Sequence, residues 1–268
     1  MDETHSKAVA ANKEAWNAAA EHHRAHAQWD RLVAGFAEPG FSCLDETETA
    51  IWRELELVGR SVAQVCCNNG RELLSVRNLG AGRCVGFDQA AAFLEQGREL
   101  NGIAGLDCEF VEADVLALPD RYQGAFDRVF TTIGVFGWMP DLARFFDSVA
   151  GLLRPGGVYF AYENHPLLNM FEPESAEPHR PVHSYFRTEP FVEALGLDYF
   201  GNRDYEAPMN YWFVHRLSDI VTTAVERGLV LERLCEYPHN IDAEALDVFE
   251  GQAAQFPLSF SLIARKPG

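Results

Sequence analysis

Two aspartates and one turn of small residues have the types and spacing that hold a nucleoside. Asp88 closes the apolar run Val85-Gly86-Phe87, and Asp114 closes Glu109 to Ala113. A carboxylate ending the second strand of a doubly wound sheet accepts from both hydroxyls of a ribose, with Gln89 beside it. Asp114, followed by Val115, is placed to accept from an adenine amino group. Upstream, Cys66-Cys67-Asn68-Asn69-Gly70-Arg71-Glu72 leaves the first apolar run. Its small polar residues and glycine let the backbone turn sharply and approach a ligand. Asn69 and Glu72 are spaced as a helix N-cap and its capping partner. Thr131-Thr132-Ile133-Gly134-Val135-Phe136 leaves the fourth run, able to pack along an adenosine and open onto a reacting centre. Taken singly, a strand-end aspartate also serves as a helix N-cap, and a tight strand-to-helix turn has a purely structural use. In chain order the four features point together to a nucleoside site.

The histidines bear on proton chemistry. His165 follows Tyr162-Glu163-Asn164 and precedes Pro166, so it leaves the fifth strand at the sheet's ligand-bearing end. Proline restricts the preceding residue to extended backbone, and an imidazole titrating near pH 6.5 suits proton removal at neutral pH. His165 is therefore the candidate catalytic residue, a proton acceptor or acceptor-orienting group whose ring Glu163 or another nearby carboxylate would orient. The structural alternative is a histidine that ties down the segment following it. His22 and His26 share a helical face at i, i+4, but no cysteine or carboxylate motif completes a metal set, and no metal is expected. His183 and His215 read as structural.

Alternating strands and helices must position these groups. The first forty residues carry helical spacing, broken at Gly35, Pro39 and Gly40. Strands are expected at Val62 to Cys67, Arg83 to Phe87, Glu109 to Ala113, Asp127 to Thr132 and from Val158 to Tyr162. Helices are expected at Arg71 to Leu79, Gln89 to Leu100 and along the Leu142–Leu153 stripe, stopped by Arg154-Pro155-Gly156-Gly157. Such alternation builds an α/β fold, a Rossmann-like doubly wound and mostly parallel sheet. The alternation lapses from Asn164 to about Trp212, where prolines and aromatics, among them Tyr185, Tyr199, Phe200, Tyr211 and Trp212, predict an inserted β-hairpin lid. It resumes with a helix from an N-capping Ser218 to Arg227, then strands Val230 to Tyr237 and Leu258 to Ala264, the last antiparallel at or near the sheet edge. The predicted organisation is a helical cap over 1–40, a ligand-binding domain over 41–163 and 213–268, and a lid over 164–212.

Composition excludes several classes. The 268 residues carry 22 Lys+Arg against 40 Asp+Glu, a net charge of −18, where a nucleic-acid binder needs a basic face. The acidic start MDETHSK lacks a signal-peptide pattern, and no apolar run is long enough to cross a bilayer. Six cysteines without a CxxC pair fit a reducing compartment, so the expectation is a cytoplasmic protein, a monomer or homodimer, with no membrane or nucleic-acid partner.

The stretch from Val62 to about Tyr162 resembles the class I S-adenosylmethionine-dependent methyltransferases, among which the turn Leu152-Leu153-Arg154-Pro155-Gly156-Gly157 is frequent. The turn Cys67-Asn68-Asn69-Gly70 is similar to a bacterial small-molecule subgroup with a Cys-Asn-x-Gly loop, as are Asn12-Lys13-Glu14-Ala15-Trp16-Asn17 and Tyr211-Trp212-Phe213-Val214-His215-Arg216-Leu217-Ser218. The resemblance implies S-adenosylmethionine as cofactor, with its methionine part by Cys66, Asn68, Asn69 and Gly70 and its ribose on Asp88 and Gln89. It places adenine at Asp114 and Val115, and the methyl near Ile133 and Gly134. Where the family pattern has glycines this chain has Cys66 and Asn68, and Gln64 stands where an acidic residue is common. The three-glycine spacing that seats a pyrophosphate is absent, which argues against a dinucleotide. The implied activity is in-line methyl transfer to a small-molecule acceptor covered by the N-terminal helix and the insertion, with natural-product biosynthesis one setting. The alternatives are a non-methylating decarboxylase or cyclase of the same fold, or a catalytically silent partner subunit.

Overall fold

Short β-branched and aromatic runs that bury on both faces set the sheet. The protein, as a computed structural model, is described over residues 3–197 and 205–268; Tyr199 and Phe200 lie outside the described residues. Helices α1 (Glu3–Ala25), α2 (Ala27–Phe36) and α3 (Glu46–Glu54) precede β1 (Val62–Val65), α4 (Arg71–Asn78), β2 (Cys84–Asp88), α5 (Ala91–Ile103) and β3 (Glu109–Glu112). Then come β4 (Phe126–Thr132), α6 (Leu142–Leu152), β5 (Leu153–Asn164), β6 (Phe191–Glu193), β7 (Asn210–Trp212), α7 (Leu217–Glu226), β8 (Val230–Tyr237) and β9 (Ser259–Arg265). Seven strands form one sheet in the order β3-β2-β1-β4-β5-β9-β8. Strands β1 to β5 pair in parallel, while β9 is antiparallel to both β5 and β8. The doubly wound, mostly parallel α/β sheet is thus present, with β8 at the edge and the antiparallel last strand one place inside it.

Alternation along each strand divides the core between two faces. Ala63 and Val65 pack with Phe145, Phe146 and Val149 of α6 and with Ile220 and Ala224 of α7. Val62 points the other way, into Trp52 of α3 and Leu73 and Leu74 of α4. No described helix is long and apolar enough to cross a membrane.

Several boundaries differ from those read in the sequence, each for a local reason. The N-terminal helical stretch divides at His26, whose Nδ1 accepts from the Gln28 amide at 3.2 Å and starts α2. Gly35 is inside α2, where the Phe41 ring packs on its bare Cα. Helix α3 has no counterpart in the sequence reading, its apolar residues, Ala50, Ile51 and Trp52, being consecutive. Strand β5 begins at Leu153 and runs through the Pro-Gly-Gly segment, the register against β4 shifting between Phe126 and Arg128. Helix α7 is capped from Arg216, whose amide donates to Asp219 at 3.1 Å, and Ser218 lies in its first turn.

The segment after β5 holds the two-stranded β6–β7 ribbon, and α1 fastens to it. Buried Asn12 donates from Nδ2 to the Tyr211 carbonyl at 2.9 Å and accepts from the Tyr211 amide at 2.7 Å, satisfying that residue as a neighbouring strand would. The two motifs singled out at either end of the sequence therefore meet.

Glu48 of α3 is buried and accepts from Trp52 Nε1 at 3.2 Å. Burial, with Glu72 nearby, pushes its carboxyl up from 4.5 to about 8. The native state thus holds a proton that the unfolded chain loses near pH 4.5, so this group's contribution to stability falls as pH rises from there to about 8. Glu48→Gln keeps the acceptor for Trp52 and removes the titration. It is expected to stabilise the protein near pH 9 by about 1–2 kcal/mol, roughly 2–6 °C, and to do nothing at pH 4. Thermal melts of both proteins at the two pH values check this; equal gains at both would assign the effect to packing.

Candidate active site

A cavity of about 330 Å³ opens over the carboxyl ends of β1, β2 and β4. Its floor is the turn after β1, built from residues that take left-handed backbone. Cys66 has φ +55°, Asn68 +51° and Gly70 +66°. Asparagine tolerates this region and glycine is at home there, whereas Cys66 is held in a conformation that costs energy, as at other ligand-clamping turns. Gly70 is required twice over, because the Phe110 ring occupies the space of a Cβ. The Asn69–Glu72 capping pair does not form: α4 starts at Gly70 without a side-chain cap, and Glu72 instead accepts from Arg71 Nε at 2.6 Å.

Asp88 faces this turn. Its Oδ2 accepts from the Asn68 amide at 2.8 Å and its Oδ1 from the Ala90 amide at 2.8 Å. Burial pushes the carboxyl up, and those amides pull it back toward the charged form. One bond per oxygen leaves a lone pair on each for another donor. Gln89 lines the cavity next to it. Asp114 accepts from the Leu116 amide at 2.9 Å through Oδ1 and lines the same space with Val115. Gln64 is 1% exposed and lines the cavity; its Nε2 donates to Thr132 Oγ1 at 3.2 Å and its Oε1 has no partner. A buried acceptor left open is expensive unless a ligand donor fills it. The Cys66 thiol is held well above its usual range, by burial first and then by Asp88, Asp114 and Glu163, so it stays neutral.

The segment after β4 separates this cavity from a smaller one of about 180 Å³. Ile133 (φ +32°) and Gly134 (φ +87°) reverse the chain, and for a β-branched residue a positive φ is a genuine outlier. Ile133, Val135 and Trp138 face the larger cavity, while Gly134, Phe136 and Gly137 face the smaller. Glu163, next to the end of β5, holds the reversal: its carboxylate accepts from the amides of Gly134 and Val135. Burial pushes Glu163 up to about 8 against those bonds. Sequence reasoning placed Glu163 only as an orienter of His165, since nothing in the chain shows that a glutamate will reach across to a turn far upstream.

His165 has a different setting from the one expected. It lines the smaller cavity, not the larger, and its ring is engaged at both nitrogens: Nδ1 accepts from the Leu167 amide at 3.1 Å and Nε2 bonds Glu236 at 2.9 Å. An accepting Nδ1 makes Nε2 the protonated nitrogen, and burial lowers the ring's pKa. His165 is thereby seated as the cap of the short helix Pro166–Met170, and Glu236, not Glu163, orients it. Neither nitrogen is left to take a proton from an acceptor.

The covering elements also divide. The roof of the larger cavity comes from α1 and α2, through Trp16 and Trp29, and from the loop Ile241–Glu244 after β8. Among the described residues, none of 164–212 lines it. That segment contributes Asn169 and Trp212 to the smaller cavity. Trp16, Trp138 and Trp212 form an edge-to-face series, with centroids 5.2 and 5.1 Å apart. His22 stacks on Tyr205 at 3.7 Å.

Residues 62–157 match the family model described as a methyltransferase domain. The chain is 30% identical over 121 residues to cycloartenol-C-24-methyltransferase of Arabidopsis thaliana, covering 44% of this chain and 35% of that protein. It is 33% identical over 106 residues to tRNA U34 carboxymethyltransferase of Campylobacter hominis, covering 40% and 36%. The chain thus spans about a third of the length of these curated relatives. Its fold is similar to that of an S-adenosylmethionine-dependent methyltransferase from Mesorhizobium loti, with TM-score 0.60 and 20% identity over 82% of this chain and 97% of that one. The fold is that of the class I S-adenosylmethionine-dependent enzymes. Its central segment, residues 62–157, is what matches the methyltransferase-domain model.

Proposed function

We propose that the protein transfers the methyl group of S-adenosylmethionine to a small molecule. The observation that carries this is Asp88, half-buried at the end of β2 and pinned by the amides of Asn68 and Ala90, with acceptor capacity left for two hydroxyls. The donor set also fits the rest of the cofactor. Gln64 Oε1 offers an acceptor for an ammonium, Asp114 and Val115 offer a slot for adenine, and the turn at Cys66, Asn68, Asn69 and Gly70 approaches with backbone instead of charge. When bound, the cofactor supplies an electrophilic methyl on a sulfonium. The protein's own contribution is alignment and exclusion of water: the turn and Asp88 hold the donor, Ile133 and Gly134 form the wall where donor and acceptor meet, and α1 and α2 close the space. A small acceptor fits the net charge of −18, which opposes the approach of a nucleic acid despite the tRNA-modifying relative.

S-adenosylhomocysteine is expected to bind one-to-one in calorimetry, and the protein to release it from S-adenosylmethionine only when an acceptor is added. Binding without any transfer across a broad acceptor panel would favour a silent partner subunit; loss of the carboxylate as carbon dioxide would favour a decarboxylase.

A further inference from the structure

We infer that Glu163 is a positioning residue for the transfer: its carboxylate clamps the wall at which donor and acceptor meet, and a positively charged donor completes the clamp. This rests on the methyl-transfer reading above. The Ile133 amide still reaches across to the Tyr162 carbonyl of β5, at 3.1 Å, but the next two amides turn to Glu163. Gly134 donates to Oε2, and Val135 to Oε1 at 3.0 Å. These amides open the short helix Val135–Trp138, for which Gly134 has no side chain to act as a cap. Glu163 therefore fixes Ile133, Val135 and Trp138, three of the side chains that this segment turns to the larger cavity.

Two costs meet at this spot. Glu163 is 2% exposed, and a carboxylate is expensive to bury. Ile133 has a positive φ, which a β-branched residue takes only where its surroundings enforce it. A serine, threonine or asparagine beside the turn would cap a short helix at far less cost. Strain and a buried carboxyl kept together mark a segment held for its shape.

Protonation links the clamp to the donor. With one N–H on each oxygen, both bonds are complete only in the carboxylate, because a protonated oxygen is a poor acceptor. Burial, with Asp242 of the loop after β8 adding to it, holds the group at about 8, so near pH 7 the clamp is incomplete. The other titratable groups around it bring no positive charge at pH 7 and above. Burial above all keeps Cys66 and Tyr159 neutral, and it lowers His165 and His215, which share the smaller cavity with Glu163. Among the described residues lining either cavity, Arg71 alone is a lysine or arginine, and its Nε bonds Glu72 at 2.6 Å. Beside a sulfonium in the larger cavity, Glu163 therefore loses its proton to the buffer and closes both bonds. No passage between the cavities is required, since a field acts through the wall. The Cys66 thiol, which lines the larger cavity, is pushed up by burial and then by Asp88, Asp114 and Glu163. S-adenosylhomocysteine is a neutral thioether and brings no such charge.

Calorimetry in buffers of different ionisation enthalpy counts the protons released on binding. At pH 7 a group titrating at about 8 is roughly nine-tenths protonated, so S-adenosylmethionine is expected to release ~0.5 proton or more. S-adenosylhomocysteine, with the same amino-acid part, should release under ~0.2. Glu163→Gln is isosteric but accepts at one oxygen only, and the difference between the two ligands should vanish in it. From pH 7 to pH 9, native affinity for S-adenosylmethionine should rise by about 3- to 10-fold relative to that of the variant, the linkage of one group. Should the variant not fold, the comparison of the two ligands on the native protein decides alone. Equal proton release with both ligands, or a difference that survives Glu163→Gln, overturns the clamp. Failure of both ligands to bind the native protein overturns the methyl-transfer reading instead.

Discussion

Asp88→Ala is expected to weaken S-adenosylhomocysteine binding by about 10- to 150-fold, the equivalent of roughly 1.5–3 kcal/mol for a charged hydrogen-bonding group. The carboxylate has two jobs that the substitution removes together. It would accept from the ribose, and it already ties the Asn68 amide of the turn to the Ala90 amide that leads into α5. Without it two backbone donors lose their partners and the left-handed turn loses its brace. Asp88→Asn separates the jobs. It keeps one acceptor oxygen but sets an amide nitrogen against one of the two backbone amides, so an intermediate affinity is expected, with a drop in melting temperature. Calorimetry on both variants, with melts as a folding control, decides the matter. A Kd within twofold of the native protein in a folded Asp88→Ala variant would falsify the ribose assignment.

The fold was legible because burial is written into composition. Phe126 to Thr132 is buried at every residue, and a run like Phe-Asp-Arg-Val-Phe-Thr-Thr between turn residues has few other uses. The two charged residues within it have partners: Asp127 Oδ2 accepts from the hydroxyl of Ser61, just before β1, at 2.7 Å, and Arg128 donates from Nε to the Leu55 carbonyl at 3.1 Å. Helix α3 was not legible, because its apolar residues, Ala50, Ile51 and Trp52, are consecutive and give no periodicity, and its stability comes from Trp52 packing on Phe130 and Phe160.

At the site, what one element does alone could be read and what two elements do together could not. Strand ends, the small-residue turn and the carboxylate after β2 are local features. The partition at Gly134, the reach of Glu163 to that turn, and the loop at Asp242 depend on strand order, which brings β4, β5 and the chain after β8 to one rim. The case of His165 shows the cost of this. Position after β5 and a following proline are the same whether the ring faces a substrate or caps the next helix; only Glu236, from β8, tells them apart.

Gly70→Ala is expected to destabilise the fold by about 2–5 kcal/mol, from ~1–2 for left-handed backbone and ~1–3 for overpacking. The steric part has an identifiable partner. Phe110 of β3 is wedged between Gly70 and Gly97 of α5, and a Cβ on Gly97 would come within 2.7 Å of the same ring and 3.0 Å of the Asn69 carbonyl oxygen. Gly97 sits in a helix, so alanine there pays no backbone strain. The two glycines therefore isolate the two costs. In the Phe110→Leu background, Gly97→Ala should lose most of its penalty, whereas Gly70→Ala should retain the ~1–2 kcal/mol owed to its φ of +66°. Urea titrations of the two cycles give the coupling energies. Because Gly70 also fixes where α4 begins, its alanine variant should lose S-adenosylhomocysteine binding even in the background that restores its packing, and Gly97→Ala in that background should regain it. Equal rescue of both glycines by Phe110→Leu would mean that the left-handed turn is a consequence of packing and not a conformation the site requires.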